Sequence, residues 1–170
     1  MKNFSVSPKL AVVALSLFVA GCATKPPPAP PPAPVVQPAP PPAPTIMPGS
    51  AQDLKVNVGD TVHFDYDQYA ILEQDKATLQ RQAAWLAKWP NIKVTVEGHA
   101  DERGTREYNI ALAAKRANAV KEYLVSLGVS AARIDTVSYG KERPICAEST
   151  ESCWAQNRRG VTIIASGANA

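Results

Sequence analysis

The sequence lacks the residue patterns by which many enzymes and metalloproteins are recognised. It has only two histidines, and His99, Asp101 and Glu102 follow no metal-ligand spacing. It contains no G-x-S-x-G turn, no H-E-x-x-H helix and no glycine loop that would cradle a phosphate. We therefore expect a binding module and not an enzyme, with no metal site and no cofactor.

A strong surplus of basic residues is also lacking. The net charge is +3, and two basic residues, Lys2 and Lys9, lie in a segment that we expect to be removed. Because no basic stripe follows, the sequence gives no indication of nucleic-acid binding.

The N-terminal apolar run, residues 10–20, is too short to span a bilayer. With its basic start and the small residues after it, it predicts a signal peptide over residues 1–21. The next residues complete V-A-G-C at 19–22, which is similar to the bacterial lipobox. That resemblance implies that Cys22 becomes the first residue and carries acyl chains such as palmitate, a stable anchor when two or three are present. By the same resemblance, the residue after the cysteine, Ala23, indicates that the lipoprotein is located in the outer membrane.

Proline is concentrated in one segment, since 13 of the 16 prolines lie between Pro26 and Pro48. A proline repeat without hydrophobic periodicity cannot form a core and favours polyproline II. We predict a disordered linker over residues 22–52 and interpret it as a spacer. Recognition by a proline-binding domain is the alternative.

The two remaining cysteines, Cys146 and Cys153, are expected to pair with each other. An exported protein folds in an oxidising compartment, and Cys22 is assigned to acylation. A redox-active pair is the alternative, although the C-x-x-C spacing is absent.

Residues 53–170 carry the periodicities of a folded domain. Strands and helices alternate, which predicts an α/β fold, an α+β two-layer sandwich of order β-α-β-α-β-β. The strands are predicted at 56–64, 92–97, 134–139 and 161–165, and the helices at 70–89 and from a Thr105 cap to Leu127. Residues 140–157 read as a long loop with some helical potential.

Arg116 interrupts the apolar stripe of the second helix. It lies four residues after Leu112 and four before Val120, where helical periodicity places an apolar side chain. A buried guanidinium needs a partner, so an anion should meet it. The sequence leaves two interpretations open: a structural arginine that forms a salt bridge or reaches solvent, and an arginine that grips a ligand carboxylate.

Asp101 lies in the polar loop between the second strand and this helix, where ligand sites of α/β units often form. It either caps the loop through backbone amides or accepts from a ligand ammonium group. An aspartate and an arginine side by side would suit a zwitterionic amino-acid head.

The same stretch carries a specific resemblance. It reads V-T-V-E-G-H-A-D-E-R-G-T-R-E-Y-N-I-A-L-A-A-K-R-A-N-A-V, and V-H-F-D-Y-D, V-S-Y-G-K-E-R-P and N-R-R occur around it. Together they resemble the OmpA C-terminal-like domain family, in its branch of peptidoglycan-associated lipoproteins of Gram-negative bacteria.

The resemblance implies noncovalent binding to the diaminopimelate of the peptidoglycan stem peptide. By residue-for-residue match, Asp101 would hold its ammonium group and Arg116 its carboxylate. Further residues would line or adjoin the pocket, namely Phe64, Asp65, Asn109, Leu112 and Arg159.

The resemblance also implies a place in the cell. The chain would tether the outer membrane to the wall, with its domain facing the periplasm and the Tol proteins of the envelope and cell-division system as partners. A wall-anchoring lipoprotein outside the Tol-Pal system is the alternative.

Overall fold

The computed structural model describes residues 46–169, which belong to one folded unit. The predicted signal peptide, Cys22 and most of the predicted linker lie outside the described residues. Within 46–169, no helix combines the length and the apolar character needed to cross a membrane.

The described elements follow the predicted alternation of strands and helices. They are α1 (Ala51–Asp53), a π-helical segment (Leu54–Val58), β1 (Thr61–His63), α2 (Glu73–Lys88), β2 (Lys93–His99), α3 (Arg106–Ser126), a 3₁₀ turn (Ala131–Arg133), β3 (Ile134–Gly140), α4 (Glu151–Asn157) and β4 (Arg159–Ser166).

The four strands form one sheet in the order β1-β4-β2-β3. Strand β2 runs parallel to β3, because α3 crosses over between them, and β4 runs antiparallel to both β1 and β2. Helix α3 packs on β2, β3 and β4, while α2 packs on β1 and α3. The predicted two-layer α/β architecture is confirmed, and α4 occupies part of the predicted 140–157 loop.

The predicted strand at 56–64 is wrong in its first half. Leu54 and Val58 are buried, whereas Val56 between them is 56% exposed, a spacing of four that fits a helical turn and not a strand. The Gly59 amide donates to the Leu54 carbonyl at 2.9 Å, which closes that turn. Gly59 then has φ +92°, so the chain changes direction before β1 begins.

The folded unit also begins before the predicted boundary at residue 53. Ser50 caps α1 by accepting from the Asp53 amide at 3.1 Å. Asp53 in turn accepts from the Gly49 amide and from the Trp85 indole, both at 2.8 Å. The Asn169 side chain donates to the Pro48 carbonyl at 2.7 Å. The last residues of the predicted linker are therefore held against α2 and the C-terminal end.

The core contains the apolar stripes of both long helices. In α2, Leu79, Ala83 and Leu86 are buried along one stripe at helical spacing, and Trp85 packs beside them. In α3, Leu112, Val120 and Leu124 are buried, and the Thr105 side chain caps the helix at the Tyr108 amide.

Two large residues that continue the apolar stripe of α3 at helical spacing are exposed. Tyr108 is 51% exposed and Leu127 is 37% exposed. Tyr108 lies in the first turn, where its hydroxyl contacts Asp67, and Leu127 is the C-cap of the helix. Both lie at helix ends, where the sheet no longer covers the apolar stripe.

Helix α3 approaches β2 closely at Gly98. A Cβ atom at this position would lie 1.9 Å from the Ala113 carbonyl oxygen of α3. That oxygen belongs to helix backbone and cannot rotate away, so the packing of α3 on β2 depends on a residue without a side chain.

We expect Gly98→Ala to lower the free energy of unfolding by about 3 kcal/mol or more, since overpacking here displaces a helix. Gly128→Ala is the matched control: Gly128 has φ +97° but nothing within 4 Å of an added Cβ. Gly128→Ala should lower the free energy of unfolding by only about 1–2 kcal/mol, the strain of an alanine in a left-handed conformation. Urea denaturation of the purified chain measures both, and equal losses would contradict the close approach.

Candidate functional site

A cavity of about 330 Å³ opens where β2 ends and α3 begins. The β2–α3 loop and the loop after β1 form its walls. Its lining is polar and aromatic and consists of Tyr66, Asp67, Asp101, Arg103, Gly104, Thr105, Tyr108 and Asn109.

Asp101 is the buried acid of this cavity, with a side chain only 5% exposed. Its Oδ1 accepts from the Arg103 amide and Nε, both at 3.1 Å, and its Oδ2 accepts from Arg103 Nη2 at 2.5 Å and Arg158 Nη1 at 3.4 Å. Burial alone would raise the pKa of Asp101, but the hydrogen bonds and charge of Arg103, together with a hydrogen bond from Arg158, hold it below its ordinary value. Asp101 is therefore a carboxylate at neutral pH, and its partners are arginines more than backbone amides.

Arg116 is fully buried and donates to three backbone carbonyls, two in the loop after β1 and one at the end of β2. Its Nε donates to Gln68 at 2.8 Å, its Nη1 to His99 at 2.9 Å and its Nη2 to Asp65 at 3.0 Å. The anionic partner expected from the sequence is replaced by these carbonyl dipoles. Burial lowers the pKa of Arg116 to about 10, although the nearby charge of Asp101 favours the charged form. Arg116 is thus still a cation at neutral pH.

The remaining predicted site residues lie in three places: this cavity, a second cavity and the packed interior. Asn109 lines the same cavity as Asp101 and donates to the Arg103 and Thr105 carbonyls at 2.8 and 3.1 Å. Phe64 and Asp65 line a second cavity of about 340 Å³. Neither lining includes Arg116, Leu112 or Arg159.

The last two of these residues lie in the packed interior. Leu112 is buried on α3. Arg159 is buried at the start of β4, where its guanidinium donates to the Asn157 and Arg143 carbonyls.

Arg158 connects the two cavities and was not singled out from the sequence. It lines the cavity of Phe64 and contacts Asp101 of the other. Its Nε donates to the Phe64 carbonyl at 2.9 Å, and its Nη2 pairs with Glu151 at 2.7 Å. The sequence indicates Arg158 only through the N-R-R triplet at 157–159, of which the second arginine, Arg159, was assigned to the pocket. A doublet at the start of a strand sends neighbouring side chains in opposite directions, so both members had to be considered.

Comparison with known proteins identifies the family. Residues 63–158, more than half of the chain, match the OmpA family. The chain belongs to the OmpA family.

Several known proteins are similar to this chain over more than half of its length. The peptidoglycan-associated lipoprotein of Agrobacterium fabrum is 48% identical over 164 residues, which cover 96% of this chain and 91% of that protein. Among solved structures, the peptidoglycan-associated lipoprotein from Burkholderia pseudomallei has 44% identity and a TM-score of 0.61, and the match covers 62% of this chain and 89% of that one. The C-terminal domain of Helicobacter pylori MotB has 25% identity and a TM-score of 0.59, covering 63% and 84%. The resemblance deduced from the sequence is confirmed.

In this OmpA-family chain, α4 is held by the predicted disulfide, which the structure confirms between Cys146 and Cys153. Asn157 adds hydrogen bonds from its side chain to the Ile145 and Cys146 backbone. These bonds fix Trp154, whose indole donates to Glu102 at 2.9 Å. Helix α4 thus places an aromatic ring against Arg103 of the cavity.

His99 is a buried titratable group beside the site. Neither ring nitrogen has a hydrogen-bond partner among the described residues, although Glu97 Oε2 lies 3.5 Å from Nε2. The ring stacks on Tyr139 with centroids 5.5 Å apart. Burial, together with the charges of Arg159 and Arg143, lowers the pKa of His99 to about 4. Elsewhere in residues 46–169, no group of three His, Cys, Asp or Glu side chains is arranged to hold a metal ion.

The depressed pKa of His99 predicts a loss of stability in mild acid. An unfolded histidine binds a proton near pH 6.5 while the folded one stays neutral to about pH 4, so the free energy of unfolding falls as the pH drops through this window. Between pH 6.5 and pH 4, His99 should lower the free energy of unfolding by about 3 kcal/mol. Urea denaturation of the wild type and His99→Asn from pH 7 to 4.5 should show a flatter slope in the variant. Equal slopes would assign the proton uptake to another group.

Proposed function

We propose that the folded unit binds peptidoglycan noncovalently and recognises the diaminopimelate of the stem peptide. The observation that carries the proposal is the 48% identity, over nearly the whole chain, to a protein named peptidoglycan-associated lipoprotein. The cavity at the start of α3 supports it, because Asp101 supplies a carboxylate there and helix N-termini favour anions. A ligand that carries both an ammonium and a carboxylate matches these two features.

In this proposal Asp101 accepts from the ligand ammonium and Arg116 donates to the ligand carboxylate. Arg116 reaches a carboxylate only after releasing carbonyls that it holds in the free protein. Two of the three, Asp65 and Gln68, belong to the loop between β1 and α2. A shift of this loop would free Nε and Nη2, the two nitrogens of the fork that binds a carboxylate side-on.

We propose that acyl chains on Cys22 anchor the chain in the outer membrane, with the folded unit in the periplasm. The proline-rich segment then spaces the unit from the membrane, because polyproline II extends by about 3.1 Å per residue. Together the two ends of the chain would tether the outer membrane to the wall.

We further propose that the tether works within the Tol-Pal system of the envelope and cell division. The alternative is a structural lipoprotein that anchors the wall outside that system. Covalent crosslinking in intact cells separates the two: crosslinks to Tol proteins support the first, and crosslinks to peptidoglycan alone support the second.

We expect Asp101→Asn to weaken binding to diaminopimelate-type peptidoglycan by roughly 10- to 100-fold, the loss of a charged hydrogen bond. Arg116→Lys should weaken it as well, because an ammonium cannot grip a carboxylate with a planar fork. Co-sedimentation of the purified chain with isolated sacculi measures the affinity.

Asp135→Asn is the matched control, since it makes the same change at an exposed position of β3. It should bind like the wild type. Full binding by both site variants would contradict the assignment of the site. Release of soluble muropeptides by the wild type would contradict the proposal of a binding module and indicate a wall-cleaving enzyme.

The anchor is tested by the mass of the mature protein from its native membranes. We expect a chain that begins at Cys22 and exceeds the mass of residues 22–170 by two or three acyl chains. An unacylated Cys22, or an N-terminus elsewhere, would contradict the membrane anchor while leaving wall binding untouched.

A further inference from the structure

The cation position at Asp101 is already filled by the chain itself. Arg103 forks onto the carboxylate, with Nε 3.1 Å from Oδ1 and Nη2 2.5 Å from Oδ2, and its amide also donates to Oδ1. A bidentate pair of this kind is among the stronger ionic contacts in proteins. Arg103 thus contacts both oxygens of Asp101, and Arg158 adds a further contact to Oδ2.

Two aromatic rings hold the Arg103 guanidinium in this place. Its Cζ lies 4.1 Å from the centroid of Tyr66 and 4.1 Å from that of Trp154. The two rings come from different parts of the chain, the loop after β1 and helix α4. Planar guanidinium stacks on aromatic faces better than an ammonium does, so the sandwich selects arginine.

We propose that Arg103 is an internal occupant of the cation position, so that a ligand ammonium binds Asp101 only by displacing it. The inference rests on the proposed function and adds to it a residue that limits the affinity of the site. A ligand that offers an ammonium alone replaces one ion pair by another and gains little. A ligand that also brings a carboxylate for Arg116 gains a second contact, which offsets the displacement of Arg103.

The displaced guanidinium has a second acid within reach. Glu151 Oε2 lies 3.5 Å from Arg103 Nη1, and the Glu151 side chain is 63% exposed. A small rotation of the Arg103 side chain therefore transfers its pairing from Asp101 to Glu151 without leaving a charge unpaired. Arg158 contacts Asp101 and Glu151 as well and keeps the two acids in position. Since Glu151 opens α4, the disulfide loop carries the group that receives Arg103.

The inference is tested with a soluble diaminopimelate-containing muropeptide and the full chain in detergent. Arg103→Gln removes the competing charge but keeps a polar side chain, and it should bind the muropeptide about five- to thirty-fold more tightly in calorimetric titrations, the inverse of a net charged contact. Arg81→Gln is the matched control, because Arg81 contacts Val58 and Thr78 and lines neither site cavity. It should bind like the wild type.

A second measurement uses the wild-type protein and needs no stable variant. The Arg103 Nε–H nitrogen-15 resonance should exchange slowly with solvent in the free protein, where it donates to Asp101. It should exchange faster when the muropeptide is saturating. Displacement is supported when both changes occur, the tighter binding of the variant and the faster exchange in the wild type.

The outcomes that overturn the inference differ from those that overturn the proposed function. Weaker or unchanged binding by Arg103→Gln, or an Nε–H resonance that stays protected in the complex, overturns displacement. If the wild type binds no muropeptide, the proposed function itself fails. If the wild type binds and Asp101→Asn weakens binding while Arg103 stays in place, only the inference fails.

Discussion

The buried guanidinium of Arg116 ties together the parts of the molecule that form the site. It extends from the middle of α3 and donates to carbonyls after β1 and at the end of β2. A charge in a packed interior is tolerated only when its donors are satisfied, and removing one side of such a contact is typically more destabilising than the contact is stabilising. The two loops and the helix therefore hold one arrangement together, and a change in one of them is felt by the others through this side chain.

Near this buried cation, two carboxylates and two further arginines form a connected group of ion pairs. Asp101 lies between Arg103 and Arg158, and Glu151 lies between the same two arginines on the solvent side. Each carboxylate thus shares its two arginine partners with the other, and each guanidinium contacts both acids. Burial separates their roles, because Asp101 is 5% exposed and Glu151 is 63% exposed. An ionic contact with the inner acid is screened far less than one with the outer acid.

The central part of the fold was predictable because the spacing of its apolar residues in the sequence matches the residues that are buried in the structure. Alternation in β2 and the spacing of Leu112, Val120 and Leu124 define a strand and a helix without tertiary information. The segment 54–58 was not predictable in this way, since V-N-V alternates like a strand and only the contacts of Leu54 and Val58 show a helical turn. In the site, Arg116 was conspicuous because it breaks a pattern. Arg103 and Arg158 break none, and their roles arise from α4, whose position depends on a disulfide and on long-range contacts.

These contacts give the free protein a site whose two charges are both internally satisfied. Asp101 is held by Arg103, and Arg116 is held by carbonyls of the loop after β1. Under the proposed function, a ligand with one charge would replace one of these sets of contacts and leave the other in place, whereas a zwitterion would replace both. Tyr66 belongs to that same loop and stacks on one face of Arg103, so the loop after β1 contacts both guanidinium groups. In the proposed mode of binding, the two positions would open together through this one segment, and the affinity would be the difference between the ligand contacts and the internal contacts that they replace.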